Sequence, residues 1–471
     1  MLSVLFLLIF SLFLNNIIYI INLLVFCIIF FFISNNYSFY SFFCLKTSIL
    51  YLDFLSFYLI FLSLFLFLFI FLLSLNNLSL NYQLFNIFLL IILILCFSSN
   101  STIYFFIFFE ISFLFIFLII MFWGVNPERI DSLNYLIIYS LVGSVPLLFT
   151  IINFQSNVDL GSGNWLVMDF FNSLSVIDLN KQQIESLGFS SNEYVYITFY
   201  LEKFYRFFWF FAFLIKFPIY GLHLWLPKAH VESPVYGSMI LAGIMLKIGV
   251  FGIYRYLFYM KSFFFDINNV SFLFIFFCFS IILVNIICVR QYDAKSFIAY
   301  SSIVHMTLIA IVILSNNSFS IIGSIFLCLS HGFCSSALFL NFNNFYIVSG
   351  TRNIFINRGF IYVYPLLCFV WFSFCSLNCS VPFSLNFISE LLLICSGVNL
   401  NLSSLIFYIF NVFFCGLYSV FLYLFLSHGK FNSSFILINN NTNYFIYLVL
   451  IYHFYLVFFF ILFFDSYLSI I

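Results

Sequence analysis

The chain has 471 residues, 65% of them hydrophobic and only 6% charged, with 15 basic residues balanced by 15 acidic ones. So little charge cannot cover the surface of a soluble protein of this length, and the balanced signs offer no basic face for nucleic acid. Apolar runs long enough to span a bilayer, about 20 residues as a helix, recur throughout without the alternation of a membrane β-barrel, so the composition predicts an all-α polytopic membrane protein.

About fourteen spans are predicted, with cores near 3–14, 17–33, 51–74, 84–98, 103–121, 133–153, 208–229, 235–257, 271–289, 296–314, 318–343, 360–398, 402–427 and 443–464. The first run, MLSVLFLLIFSLFL, lacks a basic n-region and a small-residue cleavage site, so it is expected to stay as a helix. One connector is long: residues 154–206 carry Asp159, Asp169, Asp178, Glu185, Glu193 and Glu202 and read as a solvated acidic loop. The run 360–398 is too long for one straight crossing and holds Pro382 before a polar patch from Ser384 to Glu390. That pattern predicts a discontinuous helix, which transporters place at their binding sites. Loops after odd-numbered spans hold Arg129, Lys228, Arg290, Lys295, Arg352, Arg358 and Lys430, against Lys46, Arg255 and Lys261 after even ones. By the positive-inside rule, both termini and the acidic loop are expected on the side opposite the basic loops.

Four charges fall inside apolar runs: Glu110 in FFEIS, Lys216 in LIKFP, Lys247 in IMLKIG and Glu390 in FISELL. A charge at the bilayer centre costs roughly 2.5–3.5 kcal/mol on insertion scales, and such residues face the protein interior, pair, and mark ion paths. Two readings stand: buried ion pairs that set helix packing, or a proton relay. Glu110 and Lys216 can neutralise each other. Lys247, alone among apolar residues with Ala242, Gly243 and Gly249 nearby, is disfavoured as a cation by burial and so suited to taking up and releasing a proton, as is Glu390. Three histidines supply further links. His223 follows Lys216 by seven residues, which an unbroken helix would put on one face, although Pro218 intervenes. His305 and His331 are mid-span beside Ser or Thr. Lys228, His230 and Glu232, between Pro227 and Pro234, read as a capped, solvated turn.

The twelve cysteines include no CxxC pair and read as small core hydrophobes, neither a metal site nor a disulfide framework. No glycine-rich nucleotide motif is present, and the scattered histidines give no haem or copper pattern. No cofactor is expected on this chain.

The run KFPIYGLHLWLPKAHVESPVYGSMILAGIMLKIGVFGIYRY, residues 216–256, closely resembles the signature of the NADH–ubiquinone oxidoreductase chain 4 family, antiporter-like membrane subunits of respiratory complex I. FFEISFLFIFLIIMFWGVNPERI, YSLVGSVPLL, RQYDAKSFIAYSSIVHM, LSHGFCSSALF and VPFSLNFISELLL follow the family's order, so the resemblance covers about 105–395. It implies fourteen helices with two inverted five-helix repeats, each with one discontinuous helix: residues 1–85 before them, 86–258 and 259–427 as the repeats, and 428–471 as a last loop and helix. It implies that Glu110 and Lys216 are a coupled pair, that Lys247 is the central relay lysine, that His223, His305 and His331 are buried links, and that Glu390 ends the path. Flavin, iron–sulfur clusters, NADH and ubiquinone would belong to partner subunits, and neighbouring antiporter-like subunits and lipid would be the contacts. The location implied is the mitochondrial inner membrane, from an organelle-encoded chain. A stand-alone or Mrp-type cation/proton antiporter is the rival. The chain departs from the family pattern at Ser389, where glycine is usual, and in having only Pro382 where two prolines are common.

Overall fold

The computed structural model describes residues 45–46, 51–74, 79–156, 207–259, 267–315, 317–431 and 444–463. The expected spans at 3–14 and 17–33 and most of the acidic loop lie outside the described residues. A two-residue antiparallel pair, Leu45–Lys46 with Tyr51–Leu52, precedes the helices.

Helices α1 (Phe54–Ser74), α2 (Leu80–Ser98), α3 (Thr102–Trp123) and α4 (Arg129–Ser156) come first. The expected span at 208–229 is two pieces, α5 (Phe207–Lys216) and α6 (Trp225–Glu232). Next, α7 starts at Val235, widens to a π-turn over Leu241–Met245 and continues to Tyr259. Then follow α8 (Ile267–Val289), α9 (Ala294–Ile313) and α10 (Ser318–Ser349). The expected discontinuous run is α11 (Pro365–Asn378) and α12 (Leu385–Leu400), and α13 (Ser404–Ser427) and α14 (Tyr444–Phe459) complete the described helices. Nine described helices are long and apolar enough to cross a bilayer. In the sets α2–α7 and α8–α13 the broken crossing is the fourth of five. Five is odd, so the second set starts on the face opposite to the first.

Burial ranks the helices. The spans of α7, α9 and α10 are 94% buried, whereas those of α4 and α13 are 33% buried; the inner three form the axis and the outer two lie at the periphery. Close approach within this axis rests on glycine. A side chain at Gly243 would run into Leu66, and one at Gly332 would lie 3.3 Å from the Gly243 carbonyl. A Cβ at Gly249 would meet the Phe217 nitrogen at 2.9 Å and the Lys216 carbonyl carbon at 3.2 Å. Small residues let backbones meet this way where lipid gives no hydrophobic drive. Arg255, counted above as a loop charge, is buried in α7 and pairs with Asp53 at 2.9 Å.

Each break has a side chain from beyond the gap donating to a carbonyl before it; the Leu377 carbonyl also accepts from the Ser380 N–H at 3.1 Å. The Trp225 indole donates to the Ile215 carbonyl at 3.0 Å, and the Asn386 amide donates to the Leu377 carbonyl at 2.7 Å. The end of a half-helix inside a membrane has no water to satisfy it, so the side chain that resumes the helix does so. Ser384 restarts α12 by accepting from the Phe387 N–H at 3.2 Å. In the second break Ser380 and Phe383 adopt left-handed backbone, φ 59° and 66°, a conformation costing about 1–3 kcal/mol each.

Candidate functional site

The predicted residues form two groups. In the first, Lys216 is the last residue of α5, buried, with its Nζ 3.1 Å from the Phe113 ring centroid and 4.5 Å from that of Phe109. Glu110, one residue beyond Phe109 on α3, lies close enough for its charge and that of Lys216 to interact. They make no direct bond: Lys216 Nζ and Glu110 Oε1 both lack a hydrogen-bonding partner. The ammonium is instead held by aromatic faces and by the negative end of the α5 dipole.

The second group is in contact. The Lys247 Nζ donates to the Ala242 carbonyl at 2.6 Å and lies 2.9 Å from His331 Nδ1. Ala242 belongs to the π-turn, a feature often found at functional sites, and it supplies the acceptor five residues before the lysine. The expectation that Lys247 stands alone is therefore corrected: α10 brings it a histidine because Gly243 and Gly332 let the two helices close. The His331 ring centroid is 5.4 Å from that of His305 on α9. His305 Nδ1 faces Glu390 Oε1 at 3.1 Å, too poorly aligned to count as a hydrogen bond. Its Nε2 lies 3.9 Å from the Cys415 Sγ of α13. Lys247, His331, His305 and Glu390 thus form one line of neighbouring titratable groups from α7 to α12.

His223 departs from its expected place. The helix stops at Lys216, so no common face exists; His223 sits in the break, accepts from the Gly221 N–H at 3.2 Å and packs between Tyr220 and Tyr300. The solvated turn at 228–232 is also corrected, in part. Lys228 is exposed, over the Tyr135 ring, but His230 is fully buried and stacked on Phe339 at 4.7 Å. Glu232 is buried and bonded to Arg352 at 3.2 Å. Pro227 sits inside α6, whose Val231 carbonyl and the Ser233 carbonyl just past its end accept from Lys295 at 3.4 and 3.3 Å.

A family model described as NADH:quinone oxidoreductase/Mrp antiporter, transmembrane, matches residues 99–415, the stretch that holds every residue of both groups. The chain belongs to this family. Within it, the NADH-ubiquinone oxidoreductase chain 4 of Locusta migratoria is 35% identical over 319 residues, 67% of this chain and 64% of the locust one. The chain thus spans just under two thirds of that relative. The fold is that of the family's solved members. A chain of respiratory complex I from Thermus thermophilus superposes with a TM-score of 0.73 at 17% identity, over 97% of this chain and 99% of that one. A chain of the Mrp complex from a Dietzia species gives 0.68 at 17% identity, over 81% and 68%.

Sequence reasoning passed over His230, whose ring nitrogens both lack hydrogen-bond partners. Its signal was the flanking apolar Leu226 and Ala229, both buried. Cys415 was read as filler, and no sequence feature marked its approach to His305.

Proposed function

We propose that this chain is the chain 4-type membrane subunit of a mitochondrial inner-membrane NADH:ubiquinone oxidoreductase and that it moves protons through the buried groups described above. The observation that carries this is the line Lys247–His331–His305–Glu390, with 2.9 Å and 3.1 Å contacts at its ends and 5.4 Å between the two imidazole centroids in its middle. Each group exchanges one proton with its neighbour by local hydrogen-bond rearrangement. The Glu110–Lys216 pair, touching α7 through Gly249, biases the charge state of the Lys247 end. His223 stands in the first break, against Tyr220 and Tyr300, and is assigned to hydration of the proton's approach. Residues 86–258 and 259–427 are the two inverted repeats, with both termini on the intermembrane-space side.

Electron transfer from NADH to ubiquinone would occur on partner subunits that hold the flavin and iron–sulfur clusters. This chain contributes no redox group and meets neighbouring antiporter-like subunits within the bilayer. Each proton moved against the potential requires about 2.3 kcal/mol per 100 mV, so the relay must open to the two sides in alternation. The family model takes in both kinds of protein; the locust relative at 35% identity favours this reading over an Mrp-type antiporter, whose solved structure is 17% identical. Purification tests it. The chain should copurify with a large NADH-oxidising assembly that acidifies vesicles without sodium dependence; an isolated or Mrp-associated chain exchanging sodium for protons would refute it.

A further inference from the structure

The far end of the relay holds a set of donors that proton transfer alone does not require. His305, Glu390 and Cys415 each present one ligand atom, and these atoms lie within 4.8 Å of one another. They come from three helices, α9, α12 and α13, and all are buried. His305 Nδ1 and Glu390 Oε1 both lack a hydrogen-bonding partner although they are 3.1 Å apart. Buried polar atoms left unsatisfied are uncommon, and two of them lying beside a thiol offer free donor capacity at one place.

We infer that His305, Glu390 and Cys415 form a binding site for a soft divalent cation, of the Zn²⁺ or Cd²⁺ class, and that occupancy blocks the relay. The donor set of one imidazole, one carboxylate and one thiolate is the borderline-soft combination that suits these ions and not Mg²⁺ or Ca²⁺, which take oxygen ligands. Zinc bonds of 2.0–2.3 Å put tetrahedral ligand atoms about 3.3–3.8 Å apart, so closing from 4.8 Å takes side-chain rotation of about 1 Å.

Charge favours the exchange. In binding, the Cys415 thiol loses its proton, as does the Glu390 carboxyl if it holds one; the two anions then neutralise the dication, and an ion-sized charge in a low-dielectric interior needs that balance. The Tyr418 hydroxyl, 2.8 Å from the Cys415 Sγ, donates to the thiolate, an outer partner of the kind that holds a ligand in place. The thiol also lies 3.6 Å from the Asn378 carbonyl, to which it donates. One imidazole nitrogen goes to the metal and Glu390 is engaged, so His305 can no longer pass a proton between His331 and Glu390. This blocking effect rests on the relay reading, whereas the binding does not.

The test uses the assembled complex, with Cd²⁺ as the probe. Equilibrium binding and vesicle acidification are measured on wild type and on Cys415→Ser, which lies outside the relay and should pump normally without the ion. Wild type should bind Cd²⁺ and lose pumping. Cys415→Ser should need about tenfold or more Cd²⁺ for both effects, since even an outer-shell change costs 10–100-fold in metal affinity; Mg²⁺ should do neither. Equal Cd²⁺ binding by the two proteins would overturn the site, whatever pumping does. Binding that depends on Cys415 while pumping continues would support the site and refute the relay. A density map of the wild-type complex soaked in Cd²⁺ decides without any variant: a peak bonded to the three side chains supports the inference, and none at a saturating concentration overturns it.

Discussion

The first broken helix stops at Lys216 and restarts at Trp225; the second stops at Asn378 and restarts at Leu385. Both use a side chain just past the gap to satisfy a carbonyl just before it, Trp225 to Ile215 and Asn386 to Leu377. They differ in which half carries the charge. Lys216 is the last residue of its first half, where the helix dipole favours a cation, whereas Glu390 lies in the second half of its crossing, beyond the first turn of α12. They also differ in contact: Lys216 rests on phenylalanine rings, whereas Glu390 faces a histidine at 3.1 Å. The first break is therefore suited to modulating charge at a distance, and the second to handing over a proton directly.

Substitutions can break or sharpen that contrast. Glu390→Gln removes the terminal acceptor of a direct chain and should cut proton pumping by about 10²-fold or more, the scale of a lost proton-transfer group. Glu110→Gln should cost clearly less, because its pair acts through space; vesicle acidification by the two variants in assembled complexes ranks them, and the reverse order would end the distinction. Gly249→Leu should come next. It drives a side chain into Phe217 and the Lys216 backbone, with an overpacking cost of about 1–3 kcal/mol, read as a lower midpoint of thermal disassembly. Trp225→Phe leaves the buried Ile215 carbonyl unsatisfied and should destabilise by on the order of 1–3 kcal/mol, whereas Asn386→Ala should cost less because the Leu377 carbonyl keeps the Ser380 N–H at 3.1 Å; denaturation of the two variants checks that order. His223→Gln should have the smallest effect on pumping rate, since His223 bonds within its own turn and contacts neither Lys216 nor the line from Lys247.

Much of this was legible in the sequence, because charge within an apolar run is costly wherever the helices end up. Glu110, Lys216, Lys247 and Glu390 stood out on that ground, and Pro382 with its polar patch marked the second break. What remained hidden depended on contacts between helices. Nothing in IMLKIG says that α10 will bring His331 to Lys247; that follows from two glycines facing each other 89 residues apart in sequence, Gly243 and Gly332. The π-turn is likewise invisible, since LAGIM has no residue that demands it. His223 was misplaced because helical spacing was extended through a proline. His230 and Glu232 were taken for a solvated turn because charge usually means solvent, whereas here Arg352 and Lys295 fold over from later in the chain to satisfy Glu232 and the end of α6.

The central claim is that a proton passes along Lys247, His331, His305 and Glu390. Its most direct test is Lys247→Met in an assembled, NADH-oxidising complex reconstituted in vesicles, with protons moved per NADH as the reading. The variant keeps a long apolar side chain in the same space but cannot hold a proton. Fewer protons per NADH than in wild type, with the complex intact, is the predicted result; an unchanged ratio would contradict the account.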